Sequence, residues 1–547
     1  MNAINGIFES LKLNRPDDLR KYIRFYCICL LICILSYIVL ISNELTNTYD
    51  GMWVGSYYRE YWWVISTGRY VWPIIGYMRN HLSPEPFTSI LALAIYVFAG
   101  CLIISIFNLW EKWQAYLIMM ILFVNTAVLS DLSYRFISPT YAASFLFGVL
   151  AFWFLINYKS IFGIAASSVF LIGCLGCYQN NLGCFCILVI AYIISALLNK
   201  EGYDDILKIV YRSAASFLVG CISYKIIWDV GMKFRHAEAS SYKGADEISL
   251  QSIIFMFPQR VKVAYFDFLK YFSGKGLFHN AFQNTIFYSL TYLSIICMFI
   301  AFVILLLKKD IIRAALCFFL VLLLPLGANI ALILAPTGGG VMIQMTHPLI
   351  MSSGLIFCLL FCGRFQKYYS GGRVPEKIIL IAASFICFFL VYGNFLQTSI
   401  DQEVMLTSRN TTQLFMNRVF SDMERRNENP DLSEPVIFVG RPSDNPHFLK
   451  GFKLYSKKDD SGLGRAKASL WNISNSYTHY GEFWTGGDCG FQSYVGLLRD
   501  CGVYYDVVNN KAVWKDICSR DEATSMPAYP NEGYITHIDG YTVVKIS

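Results

Sequence analysis

Residues 43–70 read NELTNTYDGMWVGSYYREYWWVISTGRY. They follow directly on an apolar run, residues 24–42, and a spanning helix needs roughly 20 mainly apolar residues. Glu44 and Asp50 stand just past the outer end of that run. Carboxylates so close to a membrane surface lose hydration and point to function. Around them lie Trp53, Tyr57, Tyr58, Tyr61, Trp62, Trp63, Tyr70 and Trp72. Such rings suit a membrane interface, wet on one edge and apolar on the other. They equally suit stacking against a sugar. On composition alone, an aromatic belt with ordinary surface acids is the simpler account, and a sugar-handling loop is the sharper one.

The rest of the chain supports the membrane setting. Of 547 residues, 55% are hydrophobic and 15% charged, with a mean hydropathy of +0.45. A soluble domain carries about 25% charged residues. The net charge of +7 does not indicate nucleic acid, because the basic residues are scattered between apolar segments and follow membrane topology instead. The N-terminal segment has no small-residue cleavage site after its apolar run, so the first helix is expected to be retained. Most of the 17 cysteines sit in apolar runs, as at Cys174 and Cys177, where they behave as small hydrophobes. Cys489, Cys501 and Cys518 lie in the polar tail, where an oxidising space allows one disulfide and leaves one thiol over.

Apolar runs fall at 24–42, 87–107, 113–130, 139–156, 161–177, 182–198, 213–230, 284–307, 312–334, 348–362 and 377–395, about eleven spans. Lys and Arg in the short loops alternate strictly. Lys12, Arg15, Arg20, Lys21, Lys112, Lys159, Lys200, Arg212, Lys308, Arg313 and Arg364 fall on one side. The opposite short loops hold only Arg135. The expected arrangement is an N-terminus inside and a C-terminus outside. The expected fold is a polytopic α-helical membrane protein. Residues 1–396 form a transmembrane catalytic module with outer loops 43–86 and 231–283, and 397–547 form an extracytoplasmic mixed α/β domain. Residues 255–272 read as an amphipathic helix, either interfacial or a plain basic surface helix. In the tail, 435–440 reads as a strand, 491–498 as a helix stopped near Gly502, and 534–545 as a hairpin with an Asp-Gly turn.

Sugar transfer from a phosphate donor to a hydroxyl needs a carboxylate to take the acceptor proton and a cation to steady the leaving phosphate. Asp50, beside Gly51, is the first candidate for the base, Glu44 the second and Glu60 the third. Arg69, Arg135 and Arg260 are candidates for the phosphate, because a guanidinium binds phosphate oxygens as a fork. Asp131 and Arg135 share a compact loop, where an internal ion pair is the simpler expectation. Gln179 and Asn180 offer amides suited to sugar hydroxyls, or to loose backbone groups at a helix end. Trp53 and Tyr57 are stacking candidates. His347 reads as a polar residue at a helix end. Thr337-Gly338-Gly339-Gly340 lacks the Lys-Ser/Thr of a phosphate loop. Zinc-ligand spacings and the DxD signature of nucleotide-sugar enzymes are absent from the sequence, so a lipid-linked donor used without a metal or other cofactor is expected.

The order of these features resembles the bacterial type II O-antigen serotype-converting glucosyltransferases, membrane enzymes of the GT-C class. The resemblance is carried by the first span with its outer acids, by Gly68-Arg69-Tyr70 where the family has Gly-Arg-Trp, and by Tyr178-Gln179 at a helix end. It also rests on the run from Met526 to Tyr534 followed by Val543-Val544-Lys545. The resemblance implies undecaprenyl phosphate–glucose as donor and an O-antigen chain, destined for lipopolysaccharide, as acceptor outside the bacterial inner membrane. It implies Asp50 as catalytic base, with Glu44 or Glu60 as the second carboxylate. A flippase and a lipid–glucose synthase are the implied partners. Two rivals stand beside it: a transporter or flippase of lipid-linked glycans, which would carry ionisable residues at mid-membrane depth, and an O-antigen polymerase.

Overall fold

The computed structural model describes residues 16–46, 57–59, 62–109, 112–241, 249–272, 310–335, 341–362, 373–426, 428, 433–440, 442–448, 489–508 and 510–547. Asp50, Trp53, Glu60 and the expected span 284–307 lie outside these residues.

The helices in chain order are α1 Pro16–Ser36, α2 Ile38–Ser42, α3 Trp62–Ser66, α4 Trp72–Met78, α5 Phe87–Ile106, α6 Gln114–Phe123, α7 Thr126–Ser133, α8 Ser138–Asn157, α9 Ile161–Cys177, α10 Leu182–Leu198 and α11 Tyr203–Phe234. They continue with α12 Leu250–Phe272, α13 Ile311–Ala328, α14 Ile330–Leu334, α15 His347–Phe361 and α16 Arg373–Arg426. Among the described residues, six helices are long and apolar enough to cross a membrane, and α6 with α7, bent by 47°, makes a seventh if counted as one span. α9 and α15 are shorter apolar helices. The expectation of about eleven spans is thus met in part. Prolines open several spans, Pro139 in α8 and Pro348 in α15, positions where the missing N–H has no helical partner to lose.

Basic side chains tie together helix ends that are far apart in the chain. Arg313 donates to the Leu197 carbonyl at 3.0 Å and to the Glu201 carbonyl at 2.8 Å. Arg212 donates to the Tyr158 carbonyl, and Lys112 to the Phe361 carbonyl at 2.5 Å. The Leu197, Tyr158 and Phe361 carbonyls stand at the C-terminal ends of helices, the negative poles of their dipoles, and the Glu201 carbonyl in the turn after α10. The basic residues that mark one side of the sequence pattern therefore also cap helices.

At the opposite end two helices are broken, and polar side chains fill both breaks. Between α1 and α2, Gln402 of α16 accepts from the Leu40 N–H (3.0 Å) and donates to the Ser36 carbonyl (2.9 Å). Between α6 and α7, the Tyr37 hydroxyl accepts from the Asn125 N–H (2.9 Å) and donates to the Phe123 carbonyl (2.8 Å). Asn125 then caps α7, its side-chain oxygen accepting from the Ala127 and Val128 amides at 3.0 and 3.1 Å. Both breaks are buried, so an unfilled one would leave backbone groups with no water to turn to.

α16 does not stop where its apolar run ends near Phe395 but continues to Arg426. No Pro or Gly occurs between Leu396 and Arg426, so nothing local ends it. Beyond it come β1 Val436–Val439, α17 Cys489–Cys501, α18 Lys511–Ser519, α19 Asp521–Ser525, β2 Ile535–Ile538 and β3 Tyr541–Lys545. The sheet order is β1-β3-β2, with β1 parallel to β3 and β2 antiparallel to it. Asp539 and Gly540 turn the hairpin with φ of 50° and 77°, the left-handed pair an Asp-Gly turn supplies. Tyr534 ties the unit to α16 by donating to Asp422 at 3.0 Å. Cys501 and Cys518 are free thiols.

Tyr37→Phe should lower stability by about 1–3 kcal/mol, the cost of a buried polar group left unpaired. Thermal unfolding of the detergent-solubilised protein checks this. A melting temperature equal to that of the wild type would show that the break does not depend on the hydroxyl.

Candidate active site

The broken helix ends and the loops between them carry the polar groups. One pole of the site is Arg69. The segment before it is fixed by Trp228 of α11 donating to the Ile65 carbonyl (2.9 Å), and the Val71 N–H donates to the Gly176 carbonyl (2.9 Å). Gly68 has φ +84°, and a Cβ there would fall 2.2 Å from the Tyr224 hydroxyl. Glycine is required both by the backbone and by the close approach. Gln179 accepts from Arg69 Nε at 3.4 Å and donates to the Thr67 carbonyl at 2.7 Å and to Tyr224 at 3.1 Å. Tyr224 stacks on Tyr70. The Arg69 guanidinium lies 5.3 Å from the Tyr178 ring centre, 5.6 Å from Trp72 and 5.9 Å from Trp63. Gly68-Arg69-Tyr70 and Tyr178-Gln179, more than a hundred residues apart, therefore form one structure.

The other pole is Arg135. Its buried guanidinium meets the Glu44 carboxylate at 3.0 Å, and Glu44 is 61% exposed. Glu85, just ahead of α5, accepts from the Ser89 hydroxyl (2.9 Å) and amide (3.3 Å) and lies in the field of Arg135 and Glu44. Burial pushes its carboxyl up to about 7. Buried rings join the two poles: Phe136 to Tyr134 (6.3 Å), Tyr134 to Tyr141 (6.2 Å) and Tyr141 to Tyr178 (4.7 Å between centroids). These rings form a floor with a cation at each end.

Beneath the floor lies a buried polar trio. Asp131 of α7 accepts from the Tyr96 hydroxyl of α5, and the same carboxylate oxygen is 2.6 Å from Nε2 of His347, the first residue of α15. Tyr96 stacks on His347. The other oxygen of Asp131 has no hydrogen-bond partner among the described residues. Asn180 adds a tie to the same segment, donating to the Met345 carbonyl at 2.7 Å.

Several expectations change. Asp131 and Arg135 do not form an internal pair: α7 turns Asp131 inward to Tyr96 and His347, and Arg135 outward to Glu44. His347 does stand at a helix end, as the first residue of α15, and is in addition the partner of a buried acid. Asn180 serves the backbone. Tyr57 edges against His81, with ring centres 6.2 Å apart, and pairs with Leu82 in an isolated bridge. Arg260 stands on α12, which packs against α13 and α14, and α14 in turn touches the Gln179–Asn181 turn. Glu85, Tyr96, Tyr141, Tyr224 and His347 belong to the site without a local sequence signal. The described residues contain no group of three or more His, Cys, Asp or Glu placed to hold a metal ion.

An apolar helical bundle that gathers arginines, carboxylates and aromatic rings at one end has the make-up of a membrane protein with a polar site at that end. The model of the family described as Glucosyl transferase GtrII matches residues 48–360, more than half of the chain. The chain belongs to this family. It is also similar to a protein of Salmonella phage P22 described as an "Uncharacterized 55.3 kDa protein in gtrB 5'region", 28% identical over 156 residues, which are 28% of this chain and 32% of the phage protein. The chain thus matches about a third of that relative's length. No solved structure matches it.

Glu85 gives a pH signature. Its folded-state carboxyl titrates near 7 against an ordinary 4.5, so between these values the native state holds a proton that the unfolded chain has lost. Stability therefore falls as pH rises through this window and levels off above it. In Glu85→Gln this fall should be absent. Melting temperatures of both proteins between about pH 4.5 and 8 test it, and parallel curves would refute the assignment.

Proposed function

We infer that this glucosyltransferase takes glucose from undecaprenyl phosphate–glucose and attaches it to O-antigen units on the periplasmic side of the bacterial inner membrane. On this reading the N-terminus is cytoplasmic, the C-terminus periplasmic, and the enzyme acts in serotype conversion. The observation that carries it is the Arg69 pole: a guanidinium whose Nε is held by Gln179 and whose faces lie against Trp63, Trp72 and Tyr178. Stacking holds the fork without consuming its donors, so Nη1 and Nη2 remain to meet phosphate oxygens. A lipid phosphate arriving at a membrane interface suits this position.

Asp50 acts as the general base. It removes the proton of the acceptor hydroxyl, whose oxygen attacks the anomeric carbon as the bond to the phosphate oxygen breaks. Arg69 steadies the charge that collects on the departing polyprenyl phosphate. One base and one direct displacement give inversion. Glu44 is engaged by Arg135, which favours Asp50 for the proton. The ring floor lies between the two poles, where donor and acceptor sugars must meet. A flippase and a synthase that loads the lipid with glucose are the expected partners, since the donor has to be made and presented outside.

Glucose incorporation into lipopolysaccharide, in a host lacking the gene and at matched membrane expression, tests this. Asp50→Asn should lower transfer by about 100-fold or more, the scale of a lost general base. Arg69→Lys should lower it about tenfold or more, because a lysine supplies neither the fork nor the planar stack. If Asp50→Asn transfers normally while Glu44→Gln does not, the base is Glu44. A wild type that transfers no sugar yet raises the amount of lipid-linked glycan outside would replace this donor and acceptor assignment with transport.

A further inference from the structure

α11 and the stretch after it are fastened to the segment that leads into Arg69. Four successive carbonyls there each accept a hydrogen bond from a distant part of the chain. Trp228 of α11 donates to Ile65 (2.9 Å), the Ser240 N–H to Ser66 (3.0 Å), Gln179 to Thr67 (2.7 Å) and Tyr224 of α11 to Gly68 (3.1 Å). Carbonyls at the end of a short helix need such partners, and together they fix this segment against α11. Arg235, just past the end of α11, lies between Trp228 and Ser240 in sequence, so the chain on both sides of it is pinned to residues 65–66. Its guanidinium stands over Trp62, 5.3 Å from the ring centre, as that of Arg69 stands over Trp63 at 5.9 Å. These adjacent indoles belong to α3, which has five residues and is about 7 Å long. Among the described residues neither guanidinium has a carboxylate partner: Asp229 is taken by Lys225 at 2.7 Å, and Arg69 meets an amide. Arg235 is exposed. Two cations carried on the rings of one short helix, with no acid between them, make a site for an anion.

The chemistry of the transfer calls for a second cation. The donor is a phosphodiester with a single negative charge. As the bond from the anomeric carbon to the phosphate oxygen breaks, its electron pair stays on that oxygen, and the acceptor's proton passes to the base. The leaving group is then a phosphate monoester, with a charge of about −1.5 to −2 at pH 7. We propose that Arg235 is a phosphate-binding residue: together with Arg69 it takes the phosphate of the lipid donor, and it matches the extra charge that gathers there as the bond breaks. The proposal rests on the glucosyl-transfer reading above. It brings the root of the second outer loop, residues 231–283, into the working site.

The full-length protein in liposomes, supplied with polyprenyl phosphate–glucose and a repeat-unit acceptor, tests it. Arg235→Gln should lower kcat about tenfold with the donor KM within about twofold, the pattern of an interaction made in the transition state. Arg235→Lys keeps the charge but not the fork, and should hold kcat within about threefold of wild type. Lys233→Gln removes another exposed cation from the same turn of α11 and should leave kcat within about twofold. A second readout needs no turnover. Binding of a short-chain polyprenyl monophosphate to the detergent-solubilised protein should weaken about tenfold in Arg235→Gln, while the neutral polyprenol of the same length binds wild type and variant alike. Either readout unchanged in Arg235→Gln overturns the proposal. An equal loss in Lys233→Gln does so too, since it would mark a general field rather than a site. A wild type that transfers no glucose refutes the transfer reading by itself, and the monophosphate measurement then decides whether Arg235 and Arg69 form an anion site.

Discussion

The geometry at the working end depends on two helix breaks, each closed by a polar side chain from elsewhere. A bilayer offers no water to an interrupted helix, so a break survives only where other groups take over its amides and carbonyls. Gln402 does this for the first helix and Tyr37 for the α6–α7 pair. The α6–α7 break bends the chain by 47°, and beyond it Asp131 faces Tyr96 and His347 while Arg135 meets Glu44. An unbroken helix at either place would spread these groups around its circumference. Tyr37 itself lies at the first break and fills the second, so the two bends stand or fall together.

Much of this architecture can be read in the sequence. Apolar runs locate most of the helices, the short-loop cations mark one end of the bundle, and the Asp539-Gly540 turn announces the hairpin of the tail. Gly68-Arg69-Tyr70 and Tyr178-Gln179 can be singled out as motifs, and the structure joins them. What the sequence does not reveal is pairing at long range. Asp131 has an arginine four residues away and still finds Tyr96 and His347, because the direction in which α7 leaves its break decides which side chain faces inward. Glu85 is hidden between two prolines that read only as a turn. The true length of α16 is missed for a related reason: hydropathy ends near Phe395, but the backbone has no cause to stop until the Asn- and Pro-containing stretch after Arg426.

The two cationic poles divide the labour of the site. Arg69 lies against three aromatic rings and is bonded through Nε to one amide, and among the described residues its outer nitrogens make no hydrogen bond. Arg135 is held by a carboxylate and is buried, an arrangement that suits a structural clamp. The same residue type thus serves opposite ends, and surroundings rather than identity set the role. The aromatic floor between them is buried too, so it shapes the space without being loose within it.

The uninterrupted course of α16 makes it a stem that carries the C-terminal unit. From Arg409, level with the root of the first loop, to Arg426, level with the sheet, the helix rises about 25 Å with no joint. Bending it would mean breaking backbone hydrogen bonds along a stretch that contains neither proline nor glycine. The stretch of α16 between the Arg409 and Arg426 levels therefore offers no hinge of its own.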